Sequence, residues 1–334
     1  MKKLINNPVN VVEEMIEGYV MAHPDYIREL PTNKRSLVTK KTSADRKVGV
    51  LIGGGSGHEP GFMGYVGAGM ADGVAVGNIF ASPSPDPITE VAKAIDKGSG
   101  VAFLFGNYAG DVMNFGMAAE AADLEEDIEV GNALATDDVA SAPKDEKEKR
   151  RGIAGEFFIF KAAGAAADFG YDLNDVIRVA KKANEQTRSM GVGLSPCSLP
   201  QTGEPSFEIE ENEMEIGLGH HGEPGLEKGK LASADHVAER LLQDIMADTP
   251  LNNGDEVAVL VNGLGSTPRM ELYIVYRRIQ QLLTESGVTV YRSYVGDYIT
   301  SLEMGGCSVT VIKLDDELKK TIDHPVDCPM FVQK

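Results

Sequence analysis

The sequence is poor in basic residues, in cysteine and in long apolar runs, and each shortage excludes something. Thirty-two lysines and arginines stand against 51 aspartates and glutamates, for a formal net charge of −19. So acidic a surface repels nucleic acid and anionic membranes, and it offers little unaided attraction to a free polyphosphate. Three cysteines, Cys197, Cys307 and Cys328, are too few and too scattered for a disulfide framework or a zinc site, and they read as reduced thiols. No apolar run approaches the length of a membrane span, about 18 residues. The opening MKKLINNPVNVVEEM has no apolar segment before Asn6, Asn7 and Pro8, so no signal peptide is expected and the expected location is cytoplasmic. There is no repeat of about 20–50 residues, which excludes a solenoid.

What is present describes an α/β protein. Hydrophobic content of 42% and charged content of 25% are globular values, and 334 residues exceed one compact core. Thirty-seven glycines are spread through apolar segments, as they are at strand–helix turns. KVGVLIGGGSGHEPG reads as a buried strand, 47–52, running into a glycine turn. GVAFLFGNYAGD repeats the design, with a strand at 101–105 and a turn holding Asn107, Gly110 and Asp111. IEVGNALATDD is a weaker third case, ending at Asp137 and Asp138. Helical spacing over 9–22, 87–97 and 115–124 completes a strand-turn-helix pattern. That pattern predicts a largely parallel sheet covered by helices, with ligands beyond the carboxyl ends of its strands. His58, Asn107 and Asp111 fall at such ends.

The run DEKEKRRG, 145–152, reads as a solvated loop, followed by an alanine-rich helix and another helix near 173–190. A boundary there gives an N-terminal α/β domain, 1–190, and a C-terminal α/β domain, 191–334. The second half carries strands at 213–218 and 256–262, helices at 233–247 and 270–286, and two strand-like runs, VTVYRSYVG and CSVTVIKL. The expected fold is thus two α/β domains, each a mixed or largely parallel sheet covered by helices.

Two turns set a histidine beside Glu-Pro-Gly: GGGSGHEPG, 53–61, and GHHGEPG, 219–225. The first is no phosphate loop, because Gly57 is followed by His58 where a lysine would reach the phosphates. Nor does a G-x-G-x-x-G open a helix with a ribose-binding acid behind it. The glycines still allow close backbone approach to a small ligand. His58 can exchange a proton near neutrality, or can simply be satisfied by turn carbonyls. Asp111 can take a hydroxyl proton, or can cap a helix starting at Val112. His220 and His221 are adjacent, so on a strand they face opposite ways. A neutral imidazole is a nucleophile that can add to a carbonyl. A metal is the weaker use, with no cysteine nearby and no H-x₃-H spacing. Asp137 and Asp138 could suggest magnesium, but without a phosphate loop a solvated or capping pair is the better reading.

Four segments together, GGGSGHEP, GNYAGDVMNF, NEMEIGLGHHGEPG and LVNGLGSTP, resemble in order the signature segments of the K subunits of bacterial dihydroxyacetone kinases, along essentially the whole chain. The resemblance implies a homodimer of two-domain subunits that binds a short ketose and holds no nucleotide or metal. The residue matching His221 would form a hemiaminal with the ketose carbonyl, that matching His58 would hydrogen-bond the substrate, and that matching Asp111 would act on the hydroxyl receiving phosphate. The two turns would come from different domains and meet over one molecule. Gly55, Ser56, Gly57, Gly106 and Asn107 are expected to line the substrate. ADP or ATP with Mg would be carried by a separate L subunit, recharged in the commonest form by a phosphotransferase-system M subunit from phosphoenolpyruvate. Covalent capture would also reject a polyol such as glycerol, which has no carbonyl to attack.

The sequence departs from the family at three places. Gly106 stands where the family has a substrate-binding lysine, and Ala109 where it has threonine. His220 occupies a usually apolar position, which suggests that it faces solvent or the dimer. Losing the lysine opens room for a larger ketose such as erythrulose. It also fits a non-phosphorylating paralogue that senses ketose as co-activator of a transcription regulator, a class the family contains. Keeping His58, Asp111 and His221 together favours the kinase.

Overall fold

The computed structural model describes residues 2–41 and 47–334. The chain forms two compact units and passes between them repeatedly. Residues 2–135, 158–183 and 318–334 make one, the N-terminal unit; 136–157 and 184–317 make the other, the central unit. A single division at 190 differs from this for 136–157, 184–190 and 318–334.

Helix α1 (Val11–Ala22) leads into strands β1 (Ile27–Leu30) and β2 (Asn33–Thr39). Then come β3 (Gly49–Ser56), β4 (Gly73–Ile79), α2 (Pro85–Ile95), β5 (Val101–Gly106), α3 (Ala109–Glu126) and β6 (Val130–Ala135). The sheet order is β1-β2-β4-β3-β5-β6. The last four run parallel, and β1 and β2 add on antiparallel, so the sheet is mixed. Strands β3 and β5 are near-continuous apolar runs because both faces of the sheet are covered. Ile88, Val91 and Ile95 of α2 and Phe115 and Ala118 of α3 pack against Leu51, Phe103 and Phe105. Strand β4 escaped the sequence reading because glycines interrupt its apolar pattern. At Gly73 a Cβ would meet the Val91 side chain, and at Gly77 the Ala81 carbonyl.

Helix α4 (Glu156–Asp168) is buried on all sides from Phe157 to Ala167. Its lysine, Lys161, is satisfied by donating to the His324 carbonyl at 2.8 Å. Helix α5 (Leu173–Gln186) ends earlier than the spacing predicts, because Thr187 opens β7 (Thr187–Ser195), which pairs along the sheet of the central unit.

That unit continues with β8 (Glu213–Ile216), β9 (Glu227–Lys230), α6 (Ala234–Asp248), β10 (Glu256–Gly263), α7 (Arg269–Glu285), β11 (Thr289–Gly296) and β12 (Gly305–Leu314). Its order is β11-β10-β12-β7-β8-β9, with only β10 and β11 parallel. Leu241 and Ile245 of α6 and Leu272 and Ile279 of α7 cover it over Val257, Val259 and Val309. Helix α8 (Asp316–Asp323) and the short β13 (Val326–Asp327) and β14 (Val332–Gln333) return the chain to the N-terminal unit.

The charge run 145–152 is only partly a solvated loop. Lys144–Lys149 form a short helical turn with no buried residue, but Arg150 is 1% exposed. Its guanidinium meets Asp248 at 2.6 and 3.0 Å, and Arg188 meets the same carboxylate at 2.5 Å. Burial alone would raise the Asp248 carboxyl, but the two arginines outweigh it and hold it at about 2, below its ordinary 3.8. Its contribution to stability is therefore complete above about pH 4 and is lost as pH falls toward 2. Asp248→Asn should cost about 3–5 kcal/mol near neutrality, since it strands two buried guanidiniums. It should also flatten the acid limb of the stability profile. Urea unfolding of both proteins from pH 7 to 2 checks both.

Candidate functional site

In the N-terminal unit the glycine turn is where β3 runs out. Ser56, its last residue, donates its hydroxyl to the Gly77 carbonyl at 2.8 Å, tying β3 to β4. Gly57 then turns the chain with φ +98°, a left-handed conformation open to glycine at no steric cost. Its N–H donates to both oxygens of Glu59 at 3.0 and 3.1 Å. Burial raises the Glu59 carboxyl despite that bond. Gly55 lies so close to the following strand's exit that a Cβ would sit 2.6 Å from the Ala81 nitrogen.

His58, 4% exposed, stacks on Phe80 with ring centroids 5.0 Å apart and meets Phe62 edge-on at 6.2 Å. Phe80 follows β4 and has φ +55°, costly for a bulky residue. Its N–H donates to the Ser56 carbonyl at 3.0 Å, which helps hold it against the histidine. The sequence reading missed Phe80 along with β4.

Gly106 is the buried last residue of β5 and pairs with Ala135. Asn107 continues the ladder by donating its N–H to the Ala135 carbonyl at 3.1 Å. Helix α3 starts at Ala109 with Tyr108 as its cap residue, so Asp111 is no N-cap. It is a buried residue of the helix's first turn, where the helix dipole favours a carboxylate. Strands β3 and β5 are parallel neighbours. His58 and Asp111 therefore both follow the carboxyl ends of adjacent strands, with Phe80 past the strand on the other side of β3.

In the central unit GHHGEPG is the loop joining β8 to β9. Gly217 and Gly222 take φ +81° and +85°. The Gly219 N–H donates to the Glu223 carbonyl at 3.0 Å, and the Gly225 N–H to the Glu215 carboxylate at 2.7 Å. His221 is half-buried. The Glu223 carboxylate accepts its backbone N–H at 2.9 Å and lies 3.1 Å from its ring Nδ1. Burial alone would raise the Glu223 carboxyl, but the hydrogen bond with His221 and the charge of Arg151 oppose it, and the carboxyl lies well below the usual carboxylate range. His220 is buried, at 5% exposed, rather than facing solvent.

Asp137 and Asp138 are a buried pair, not a solvated one. Asp137 accepts the N–H groups of Ile153 and Gly155 at 3.0 and 2.9 Å, holding the approach to α4. Burial raises its carboxyl. Asp138 pairs with Arg151 at 2.8 Å; burial pushes it up to about 6, although Arg151 opposes the shift. Arg151, hidden in the charge run, is thus part of the His221 surroundings, and Arg151–Glu223 at 3.7 Å closes the chain. Its sequence signal was nil, whereas Glu223 sits two residues beyond His221. No group of three or more His, Cys, Asp or Glu placed to hold a metal ion occurs among the described residues, and no described helix is long and apolar enough to cross a membrane.

Comparison with known proteins places these features in context. A family model described as the Dak1 domain matches residues 17–330. The dihydroxyacetone-binding subunit DhaK of PTS-dependent dihydroxyacetone kinase 2 from Listeria innocua is 47% identical over 331 residues, covering 99% of both chains. An L-erythrulose kinase from Pectobacterium atrosepticum is 44% identical over 99% of this chain, but this chain spans only 56% of that protein. Among solved structures, the dihydroxyacetone kinase operon co-activator Dha-DhaQ superposes with a TM-score of 0.89 at 29% identity, covering 96% of this chain and 98% of its own.

Proposed function

Because this chain belongs to the Dak1 domain family, that of the DhaK subunits of dihydroxyacetone kinases, we propose that it captures a short ketose on His221 and presents the terminal hydroxyl for phosphorylation. The nucleotide, ADP or ATP with Mg, comes on a separate L subunit; in a phosphoenolpyruvate-coupled system an M subunit recharges it. The Nε2 lone pair of His221 bonds to the carbonyl carbon, the C=O π pair moves to oxygen, and that oxygen takes a proton from water as the ring releases its Nδ1 proton to water. The product is a hemiaminal. His58 hydrogen-bonds the captured ketose, and Asp111 accepts the hydroxyl proton as oxygen attacks phosphorus. Gly55, Ser56, Gly57 and Asn107 contribute backbone at the strand ends.

The observation that carries the kinase reading is that His58 and Asp111 follow the carboxyl ends of adjacent parallel strands, with Asp111 in the first turn of α3 and Tyr108 at its cap position. A merely ketose-sensing protein needs the capturing histidine but not this pair. The second reading, a non-phosphorylating co-activator, is favoured by the similarity to Dha-DhaQ. Turnover with an L subunit, ATP or the phosphoenolpyruvate-coupled system, and either dihydroxyacetone or erythrulose separates the two. Phosphorylated ketose supports the kinase. Ketose capture without turnover in any combination leaves the co-activator.

Gly106 sets which ketose fits. A four-carbon substrate has an extra hydroxymethyl to place where the family lysine would reach. Gly106→Lys should therefore lower capture of erythrulose relative to dihydroxyacetone by at least about tenfold, the scale at which one group's fit discriminates. Competition between the two ketoses, read by intact mass, measures the ratio. An unchanged ratio would remove Gly106 from substrate selection.

A further inference from the structure

We infer that Glu223 is the positioning residue of the capturing histidine, locking His221 in the tautomer that carries its lone pair on Nε2. The inference rests on the role proposed for His221 above. One carboxylate grips the residue twice: Oε2 accepts the backbone N–H at 2.9 Å, and Oε1 faces ring Nδ1 at 3.1 Å. Backbone and ring are thereby fixed against each other. The Glu223 carbonyl accepts the Gly219 N–H at 3.0 Å, which anchors the gripping residue itself across the loop.

The grip has a support behind it. Arg151 NH1 stands 3.7 Å from Glu223 Oε2, and Arg151 is held by Asp138 at 2.8 and 3.0 Å. Asp138 in turn accepts the Ala140 N–H at 3.0 Å. Gly219 leaves the room this requires. A Cβ there would collide with Glu223 Oε2 and sit 2.6 Å from Arg151 NH1. A side chain at position 219 would therefore push the carboxylate and guanidinium apart.

The chemistry follows from the donor inventory. An ionised carboxylate only accepts, so Nδ1 must carry the proton it shares with Glu223, and the lone pair of a neutral ring is then on Nε2. The hydrogen bond from His221 and the charge of Arg151 help to hold Glu223 below the usual carboxylate range and keep it ionised at neutral pH. When Nε2 bonds to the carbonyl carbon, the ring gains positive charge, and Glu223 opposes it with a matched negative charge. The Nδ1 proton is then released to water while the former carbonyl oxygen takes one from water, so the proton count closes with Glu223 ionised throughout. Ordering by a carboxylate on Nδ1 is the same device that orients the imidazole of hydrolytic triads.

The test uses the full chain labelled with ¹⁵N-histidine, as wild type, Glu223→Gln and Glu223→Ala. Imidazole ¹⁵N shifts report the tautomer without any ketose, and intact mass with dihydroxyacetone or erythrulose reports capture from pH 5 to 9. The wild type should show His221 with its proton on Nδ1. Glu223→Gln, of the same shape but uncharged, should redistribute the tautomers, lower capture at least about tenfold and change its pH profile, whereas a merely structural residue would move none of these at constant fold. An unchanged tautomer and unchanged capture in a folded Glu223→Gln protein would overturn the inference while leaving His221 as the capturing residue. A shifted tautomer alongside a wild type that captures neither ketose would support the grip of Glu223 and count against the proposed function instead.

Discussion

His221→Ala is expected to abolish the ketose adduct altogether. Capture needs a nucleophilic lone pair on a fixed imidazole, and no other group on the loop supplies one: His220 is buried, at 5% exposed. The fold should survive, because the His221 side chain keeps 23% of its surface exposed and Glu223 retains Arg151 as a charge partner. Stability should fall by about 1 kcal/mol, the ordinary cost of a substitution that loses side-chain hydrogen bonding at a half-buried site. Intact mass after incubation with dihydroxyacetone and with erythrulose reads the adduct, with crystals soaked in ketose as the second readout should the hemiaminal revert on ionisation. An adduct that persists in His221→Ala would move the capture chemistry elsewhere and return GHHGEPG to being a turn.

Asp111→Asn should separate capture from transfer. The amide keeps the size of the carboxylate but cannot accept the hydroxyl proton, so phosphoryl transfer is expected to fall about 10²–10⁴-fold, the usual share of a general base. Ketose capture on His221 should persist, because the bond to the carbonyl carbon is made by the imidazole and needs no proton accepted by Asp111. Tyr108, not Asp111, is the cap residue of α3, and Asn keeps the size of the side chain in the first turn. Paired measurements of turnover and adduct formation decide the matter. Equal loss of both would make Asp111 a binding residue, and loss of neither would remove it from the reaction.

The placement of the candidate residues in the fold was largely legible because it depends on local signals. A glycine turn directly after an apolar run places His58 at a strand end whatever surrounds it, and GNYAGD does the same for Asp111. Glu223 was visible in the sequence, but its grip on His221 depends on a loop closed by the Gly219 N–H, which spacing does not show. Arg151 was not legible at all, and Asp138 was read only with Asp137 as a solvated or capping pair. Arg151 lies in a run of like and unlike charges whose simplest reading is solvation, and only its pairing with Asp138 across the loop brings it in. Phe80 was lost for a different reason: Gly73 and Gly77 disguise β4, because packing against Val91 and Ala81 forbids side chains there.

The sequence by itself determined the class of protein, two α/β layers bearing histidines on glycine turns, because strand and helix periods and glycine turns are short-range signals that survive without a partner. It also carried the ordered segments by which the family is recognised. Tertiary structure alone decided that the second sheet is largely antiparallel, that the chain passes repeatedly between its units, and that Asp137, Asp138 and Arg150 are buried. Each of these depends on which distant segments pair or share a charge, and a residue's own neighbours in sequence contain no record of that choice.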